Sequence, residues 1–267
     1  MTNSLSEKFQ KYFSVNFIYD TPRKDLIYQL RYRVYCEEFG YEPLGDFPDK
    51  KESDEFDSYA LHCLIIHKES GYPASCVRIV PAIKGGIPKP LPLERYCHSS
   101  LDNAFIEQLN LSRDTVCEIS RLAVDGTFRR RHDEHQDRFG NSSELIFDEQ
   151  ERRMFPMIAV SAFLATTSLT VLTGKTNVFA MMEPFLPKLL KRSGIFFEPA
   201  GKPIDYHGVR APYFITTESA LSTMKPELKA LYETIHSSIC AEYERHFQEA
   251  ATHPDISGDQ YWDGSTV

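Results

Sequence analysis

The spacing of apolar and polar positions along the chain predicts a mixed α/β protein. Short apolar runs bounded by turn residues predict strands at residues 59–67, 74–81, 116–124, 177–182, 196–198 and 204–215. Gly208 and Pro212 are expected to break the last of these. Apolar positions at helical spacing predict helices at residues 25–40, 102–109, 155–172, 185–193 and 225–250.

The order of these elements predicts how the sheet is built. A helix connects strands 116–124 and 177–182, which gives one parallel crossover in an otherwise antiparallel sheet flanked by helices. We expect a single domain over residues 1–220, with the polar stretch 132–153 as a mobile excursion loop. Residues 221–267 are predicted to be a C-terminal helix and polar tail packed on the same domain. A ligand cleft is expected where the two crossover strands diverge.

One helix is apolar enough to raise the question of a membrane. Residues 154–174 carry no charge, and this length could span a bilayer. The six Ser and Thr residues within it, and Pro156 near its start, fit a core helix packed against the sheet equally well. The prediction is therefore no transmembrane segment, with peripheral membrane contact still open. Residues 1–13 lack the apolar stretch of a secretory signal.

Composition narrows the class of partner. The chain has 267 residues, 42% of them apolar, and a formal net charge of −8. This acidic balance argues against general nucleic-acid binding, so any anionic partner must meet a local basic patch. Six cysteines without a CxxC pair indicate reduced thiols and a cytoplasmic location. The histidines show neither HxxxH nor HExxH spacing, and we predict no metal.

The segment Glu118-Ile-Ser-Arg-Leu-Ala-Val124 joins a buried strand pattern to charges that resist burial unless they are paired. Glu118 is the candidate general base, and Ser120 lies on the same face of a regular strand. Arg121 completes the candidate catalytic group. The alternative is structural, with Glu118 in an ion pair with Arg121 or Arg78 that fixes the sheet.

Several segments carry a resemblance to known families. Residues 30–35 (LRYRVY), 52–57 (ESDEFD), 77–81 (VRIVP) and 118–124 (EISRLAV) follow the order and approximate spacing of the acyl-homoserine lactone (autoinducer) synthases. Residues 128–131 (FRRR), 182–184 (MEP) and 206–213 (YHGVRAPY) resemble the PEP-CTERM/exosortase-associated acyltransferases, relatives of the long-chain N-acyl amino acid synthases.

The resemblance implies a GNAT fold and an N-acyltransferase. Such an enzyme moves a fatty acyl group from an acyl-carrier-protein or acyl-CoA thioester to the amine of a small molecule such as an amino acid. It implies no tightly bound cofactor. Two alternatives remain, a non-catalytic module that binds acyl lipid or acyl carrier, and an ordinary acetyl-CoA-dependent N-acetyltransferase. The usual Gly-rich phosphate loop is missing, which argues against the latter.

By the same resemblance, a set of charged residues orders the amino-terminal region and the acceptor pocket. The matched positions are Arg31, Asp54, Asp57, Arg78 and Arg121. From the residues alone, Arg31 fits a surface salt bridge and the two aspartates fit a solvated loop nearly as well. Tyr35 and His207 are further candidates for the substrate site. Core packing and a backbone-bonded turn are their respective alternatives.

Donor binding is predicted for the basic run that follows the central strand. Arg129, Arg130 and Arg131 suit the acidic surface of an acyl carrier protein better than a buried phosphate cradle, although they also fit a solvated charge run. The basic residues of helix 185–193 are candidates to extend this patch. Phe163, on the apolar helix, is expected to line a channel for the acyl chain, or else to be ordinary core.

Overall fold

The computed structural model describes residues 4–129, 145 and 147–252, with side chains up to residue 248. Its α-helices are α1 (Leu5–Tyr12), α2 (Thr21–Arg31), α3 (Pro92–Tyr96), α4 (Asn103–Leu109), α5 (Glu149–Arg152), α6 (Phe155–Thr173), α7 (Leu186–Arg192), α8 (Thr217–Thr223) and α9 (Pro226–Thr252). Its strands are β1 (Phe13–Ile18), β2 (Leu61–His67), β3 (Pro73–Pro81), β4 (Ile83–Lys84), β5 (Ile87–Pro88), β6 (Val116–Val124), β7 (Asn177–Met182), β8 (Glu198–Pro199), β9 (Ile204–Asp205) and β10 (Val209–Thr216).

The main sheet has the order β1-β2-β3-β6-β7-β10-β8, with β9 paired to β10, and β4 and β5 form a separate small hairpin. The pair β6–β7 is parallel, and the other pairs in the main sheet are antiparallel. A parallel pair needs a long crossover, which α6 supplies. The predicted fold class, a largely antiparallel sheet with one crossover and a C-terminal helix, is confirmed.

Helices cover both faces of the sheet. On one face, α1, α6 and α9 pack in the largest apolar cluster, together with side chains such as Cys117 and Ile119 of β6. On the other face, α2 covers β2 and β3, while α3 and α4 cover β6, β7 and β10. Although α6 is long and apolar enough to cross a membrane, 72% of its most apolar window is buried inside the protein. It is a core helix, as its hydroxyl residues suggested.

Several elements differ from the sequence prediction. Helix α1, which begins with a capping box at Ser4, and the edge strand β1 were not predicted. Helix α5 lies inside the predicted excursion loop and buries Glu151. The rest of that loop, residues 132–144 and 146, and the tail from residue 253 lie outside the described residues. Pro212 does not break β10, because it stays in register with Met181 of β7.

The predicted helix 25–40 changes its winding halfway. The α-helical hydrogen bonds of α2 end at Arg31, and a π-helix continues from Tyr32 to Glu38. Wide turns of this kind are rare and occur often at functional sites. After it, the backbone N–H groups of Tyr41 and Glu42 both donate to the carbonyl of Tyr35. This turn directs the residues after the π-helix toward the end of β6.

Candidate active site

The candidate site lies where β6 leaves β7. The parallel register runs from Val116 opposite Asn177 to Ile119 opposite Ala180, and β6 continues beyond it with β3 alone as its partner. There, two residues of β6, Arg121 and Leu122, oppose one residue of β3, which is a β-bulge. Arg121 has a φ of 52°, a left-handed conformation that costs energy for a residue with a side chain. The bulge turns β6 away from β7 and opens a gap.

Glu118 lies at the closed end of this gap. Its side chain is 2% exposed, and one carboxyl oxygen accepts a hydrogen bond of 2.7 Å from the backbone N–H of Leu93 at the start of α3. Burial raises the pKa of this carboxyl to about 8, against the opposing effects of that hydrogen bond and of Arg78. Among the described residues, neither Arg78 nor Arg121 forms an ion pair with Glu118, because both pair elsewhere.

Those arginines belong to a closed ring of six alternating charges. The order around the charge ring is Arg31, Asp57, Arg78, Asp54, Arg121, Glu52 and back to Arg31. Five of the six links have N–O distances between 2.6 and 3.3 Å, and the link between Arg31 and Glu52 closes the ring. No member has a side chain more than 16% exposed. The ring joins α2, residues 52–57, β3 and β6 under the bulge.

The charge ring decides several alternatives left open by the sequence. Arg31 is fully buried, so it is not a surface salt bridge. Asp57 is buried as well, and the pair of aspartates does not form a solvated loop. Burial alone would raise the pKa of Asp57, but the guanidinium groups of Arg31 and Arg78 overcome it and hold this pKa well below its usual value. Sequence reasoning missed Glu52, which bridges two arginines although it stands in a stretch that looks hydrophilic.

Two further predicted residues support the bulge. The Tyr35 hydroxyl donates to the carbonyl of Leu122 at 2.9 Å, and the Arg121 guanidinium carbon lies 5.6 Å from the centre of the Tyr35 ring. The Ser120 hydroxyl accepts from Nε of Arg78 at 3.0 Å and faces the same side of the sheet as Glu118. Tyr35 is therefore buried and packed against the bulge. Ser120 lies between the charge ring and the candidate base.

At the open end of the gap, side chains from distant segments meet. His207, with a φ of 53°, places its Nε2 3.4 Å from the Glu42 carboxylate, which also pairs with Arg121 at 3.3 Å. Burial lowers the pKa of His207 despite the nearby carboxylate. The Arg210 guanidinium carbon lies 5.4 Å from the centre of the Tyr41 ring. The sequence did not identify Glu42, Tyr41 or Arg210, because only the fold brings residues 41–42 to the start of β10.

The predicted donor residues are not all brought to one surface. Arg129 is held by Glu38 and by the carbonyl of Val124, and it stacks on Phe39. Arg130 and Arg131 lie outside the described residues. Phe163 is 7% exposed and packs edge-on against Phe197, on the other face of the sheet from Glu118. The basic residues of α7, Lys188, Lys191 and Arg192, lie at least partly exposed on the surface.

Two other kinds of site were considered among the described residues, a metal-binding cluster and a cavity at the far end of β7. Within residues 4–129, 145 and 147–252, no group of three His, Cys, Asp or Glu side chains is arranged to hold a metal ion. A surface cavity of about 650 Å³ lies at the opposite end of β7 and β10, and five of its eight lining residues are Thr, Ser or Asn. Its lining includes Asn177 and Thr216, which pair at the end of the strands remote from Arg210.

Comparison with known proteins gives one sequence match and several structural ones. Residues 30–135 match the family model described as an acetyltransferase (GNAT) domain. No curated protein matches the sequence.

Solved structures share the fold at low sequence identity, among them the following three. The AHL synthase LasI aligns with a TM-score of 0.52 and 16% identity, over 80% of this chain and 95% of LasI. FeeM, an N-acyl amino acid synthase from uncultured soil microbes, aligns with a TM-score of 0.52 and 13% identity, over 79% of this chain and 94% of FeeM. BjaI, a CoA-dependent acyl-homoserine lactone synthase solved with SAM and isopentyl-CoA, aligns with a TM-score of 0.52 and 16% identity, over 84% of this chain and 89% of BjaI.

The matched residues begin at the end of α2 and include all six members of the charge ring and the whole of β6, and therefore contain Glu118 and the bulge. The same fold recurs in acyl-homoserine lactone synthases and in an N-acyl amino acid synthase. This chain is an acyltransferase with a GNAT domain at residues 30–135.

Proposed function

We propose that this protein is a cytoplasmic N-acyltransferase that moves a fatty acyl group from an acyl-carrier-protein or acyl-CoA thioester to the amine of a small molecule such as an amino acid. The observation that carries the proposal is the position of Glu118. A buried carboxyl with a pKa raised to about 8 lies one register pair before the point where the parallel strands β6 and β7 part. Groups perturbed in this way by burial are concentrated at catalytic sites.

The chemistry follows from the needs of amide formation. The neutral amine attacks the thioester carbonyl, a C–N bond forms and the C–S bond breaks. The proton lost by the amine passes to the Glu118 carboxylate, directly or through one water, and then to the departing thiolate. Backbone N–H groups of β6 beyond Ile119 have no partner in the β7 ladder, and they supply hydrogen bonds for the developing oxyanion. No covalent enzyme intermediate is needed.

The charge ring fixes the geometry of this reaction. It holds the bulge at Arg121 in a strained conformation, and through Arg78 it orients the Ser120 hydroxyl on the side of Glu118. Strain of this kind persists only where the surrounding contacts determine it fully. Arg121 and Ser120 are thus assigned to the site as residues that shape the pocket beside the base.

The carrier is assigned to basic residues that follow β6 and β7 in the chain, and the far end of the acyl chain to apolar side chains on the other face of the sheet. Lys188, Lys191 and Arg192 of α7 offer cations to an acidic carrier protein, and Arg129 adds one beside Phe39. Phe163 with Phe197 forms the apolar wall for the far end of a long chain. The resemblance to the PEP-CTERM/exosortase-associated acyltransferases, carried by residues 206–213, also favours a long-chain donor.

The structural neighbours support these substrate classes without deciding between them. BjaI is a CoA-dependent acyl-homoserine lactone synthase that was solved with SAM, an amine-bearing molecule, and isopentyl-CoA, an S-alkyl derivative of CoA. FeeM is an N-acyl amino acid synthase. Both proteins fit a reaction that transfers an acyl group from a thioester to the amine of an amino-acid-like acceptor.

The test is a transfer assay with the full-length protein. Acyl-CoA and acyl-carrier-protein donors from acetyl to palmitoyl are each incubated with mixed amino acids, and products are identified by mass spectrometry. We expect an N-acyl amino acid from fatty donors, and a loss of about 10²- to 10⁴-fold in kcat for Glu118→Gln. The control Glu149→Gln changes a carboxylate that is 81% exposed on α5, and it should match the wild type.

Three outcomes would overturn the proposal. Full activity of the Glu118→Gln variant would exclude Glu118 as the general base. Product from acetyl-CoA alone would favour the ordinary N-acetyltransferase. Donor binding without any product would favour a non-catalytic acyl-binding module.

A further inference from the structure

Arg210 is a guanidinium without a partner at the open end of the gap. In the described part of the chain it forms no ion pair, and its buried Nε has no hydrogen-bond partner. The arginines of the charge ring differ, since Arg31, Arg78 and Arg121 each pair with at least two carboxylates. A buried donor left unsatisfied costs about 1–3 kcal/mol, and more if it is charged, which a bound anion would recover.

The strand register puts Arg210 beside the reacting end of the sheet. Ala211 pairs with Met182, the last residue of β7, so Arg210 stands just past the point where β7 ends. Strands β6 and β7 part toward their C-terminal ends, and β10 runs antiparallel to β7. The start of β10 therefore borders the mouth of the gap.

Arg210 and Glu118 share one face of the sheet. Phe214 packs on Phe179, which is the β7 partner of Glu118, in the apolar cluster on this face. Side chains two and four residues apart along a strand point the same way, so Arg210 lies on the side of Phe214. The Cys97 thiol lies within electrostatic range of both groups. Burial raises its pKa to about 11, with Glu118 raising it further and Arg210 lowering it.

The surroundings of Arg210 leave its charge available to a ligand. The guanidinium carbon of Arg210 lies over the Tyr41 ring, 5.4 Å from its centre, a cation–π contact that leaves the N–H donors free to bind a ligand. Burial lowers the pKa of His207, the titratable neighbour on the preceding turn, and Arg121 and Arg210 lower it as well. The Glu42 carboxylate already pairs with Arg121 and His207.

We propose that Arg210 binds the carboxylate of the acceptor, and that the acceptor is therefore an α-amino acid rather than a simple amine. The inference rests on the proposed N-acyl transfer. An α-amino acid carries its amine and carboxylate on one carbon, so a guanidinium at the mouth holds the carboxylate while the amine turns toward Glu118. The planar fork of an arginine suits two parallel hydrogen bonds to a carboxylate. Arg210 is a substrate-binding residue and determines specificity.

Direct binding tests the inference without requiring turnover. Each of the common amino acids is titrated into the full-length protein by calorimetry without donor, and the tightest binder is compared with its primary amide. We expect the amide to bind about 10- to 100-fold more weakly, because it cannot form the charge-assisted hydrogen bonds that a carboxylate forms with a guanidinium. Arg210→Gln should lose the same factor for the acid and leave the amide unchanged. Arg210→Lys should lie between wild type and Arg210→Gln.

The control is Arg245→Gln on the exposed surface of α9, which should bind both ligands as the wild type does. Thermal melting of each variant verifies that it is folded.

Equal affinity for acid and amide, unchanged binding by Arg210→Gln, or no binding of any amino acid would overturn the inference. A rise in KM for the donor alone in Arg210→Gln would instead assign Arg210 to a donor phosphate, and would also overturn it. If amino acids bind as expected but no acylated product forms, the proposed transfer fails, while the assignment of Arg210 as a carboxylate-binding residue stands.

Discussion

Replacing Glu118 by Gln separates the charge of this carboxyl from its shape. Gln has nearly the same volume and keeps an oxygen that accepts the hydrogen bond from the Leu93 N–H. It cannot ionise. The substitution therefore removes the proton equilibrium of a fully buried group and leaves its packing in place.

The effect on stability follows from the raised pKa. Unfolded, the Glu118 carboxyl has its ordinary pKa of 4.5, and folded it has a pKa of about 8. Between these values the folded protein keeps a proton that the unfolded chain releases, so the free energy of unfolding decreases as the pH rises. The loss is about 1.4 kcal/mol for each pH unit and about 5 kcal/mol over the whole interval. Below pH 4.5 the contribution is fully present.

Urea unfolding of both proteins at unit steps from about pH 5 to about pH 9 measures this difference. The free energy of unfolding of Glu118→Gln should be close to that of the wild type at the lowest pH of the series. At the highest pH it should be larger by several kcal/mol. Glu149→Gln should follow the wild type throughout. Parallel curves for wild type and Glu118→Gln would refute the buried, proton-holding carboxyl. Transfer by the wild type should increase with pH through about 8, because only the ionised carboxylate accepts the amine proton.

Three other substitutions test the charge ring, the bulge and the close packing at Gly201. Glu52→Gln removes the carboxylate between two buried guanidinium groups and should destabilise the fold by about 3–5 kcal/mol in urea; an unchanged midpoint would contradict the charge ring. Tyr35→Phe removes the hydroxyl that donates to the Leu122 carbonyl, and the free energy of unfolding in urea should decrease by about 1–2 kcal/mol. Because the bulge loses this support, kcat should decrease as well. Gly201→Ala places a Cβ 2.0 Å from the Ser100 carbonyl oxygen, so the melting temperature should decrease by about 2–10 °C; an unaltered melting temperature would show that this loop yields freely.

The strands at the centre of the sheet are predicted well from the sequence, because continuous apolar runs bounded by turn residues have few other interpretations. The run 116–124 coincides with β6, and the helix between 155 and 172 coincides with α6 to within one residue. Glu118 is recognisable because a carboxylate on a buried strand demands an explanation. The edge strand β1, which was not predicted, does carry a signal, since Phe13, Val15 and Phe17 alternate with polar residues.

Other parts of the site have no local signal. Glu52 and Glu42 stand in hydrophilic stretches, and their pairing with Arg121 depends on where residues 42–57 lie relative to β6. Arg210 looks like one more residue of an irregular strand, and its importance appears only when its lack of a partner is known. Helix α5 resembles a loop in the sequence because its residues are polar, yet Glu151 is buried against His67. Charge pairing across distant segments cannot be read from spacing alone.

A closed ring of charges constrains how this protein can change over generations. Each member of the ring touches two members of opposite sign, so losing any one leaves two buried partners with an uncompensated charge. Substitutions within such a network are not additive, and a second change can offset the cost of the first. Homologous sequences should therefore keep all six charges or replace neighbouring members together. That pattern of joint variation would mark descent from an ancestor that already had this cleft.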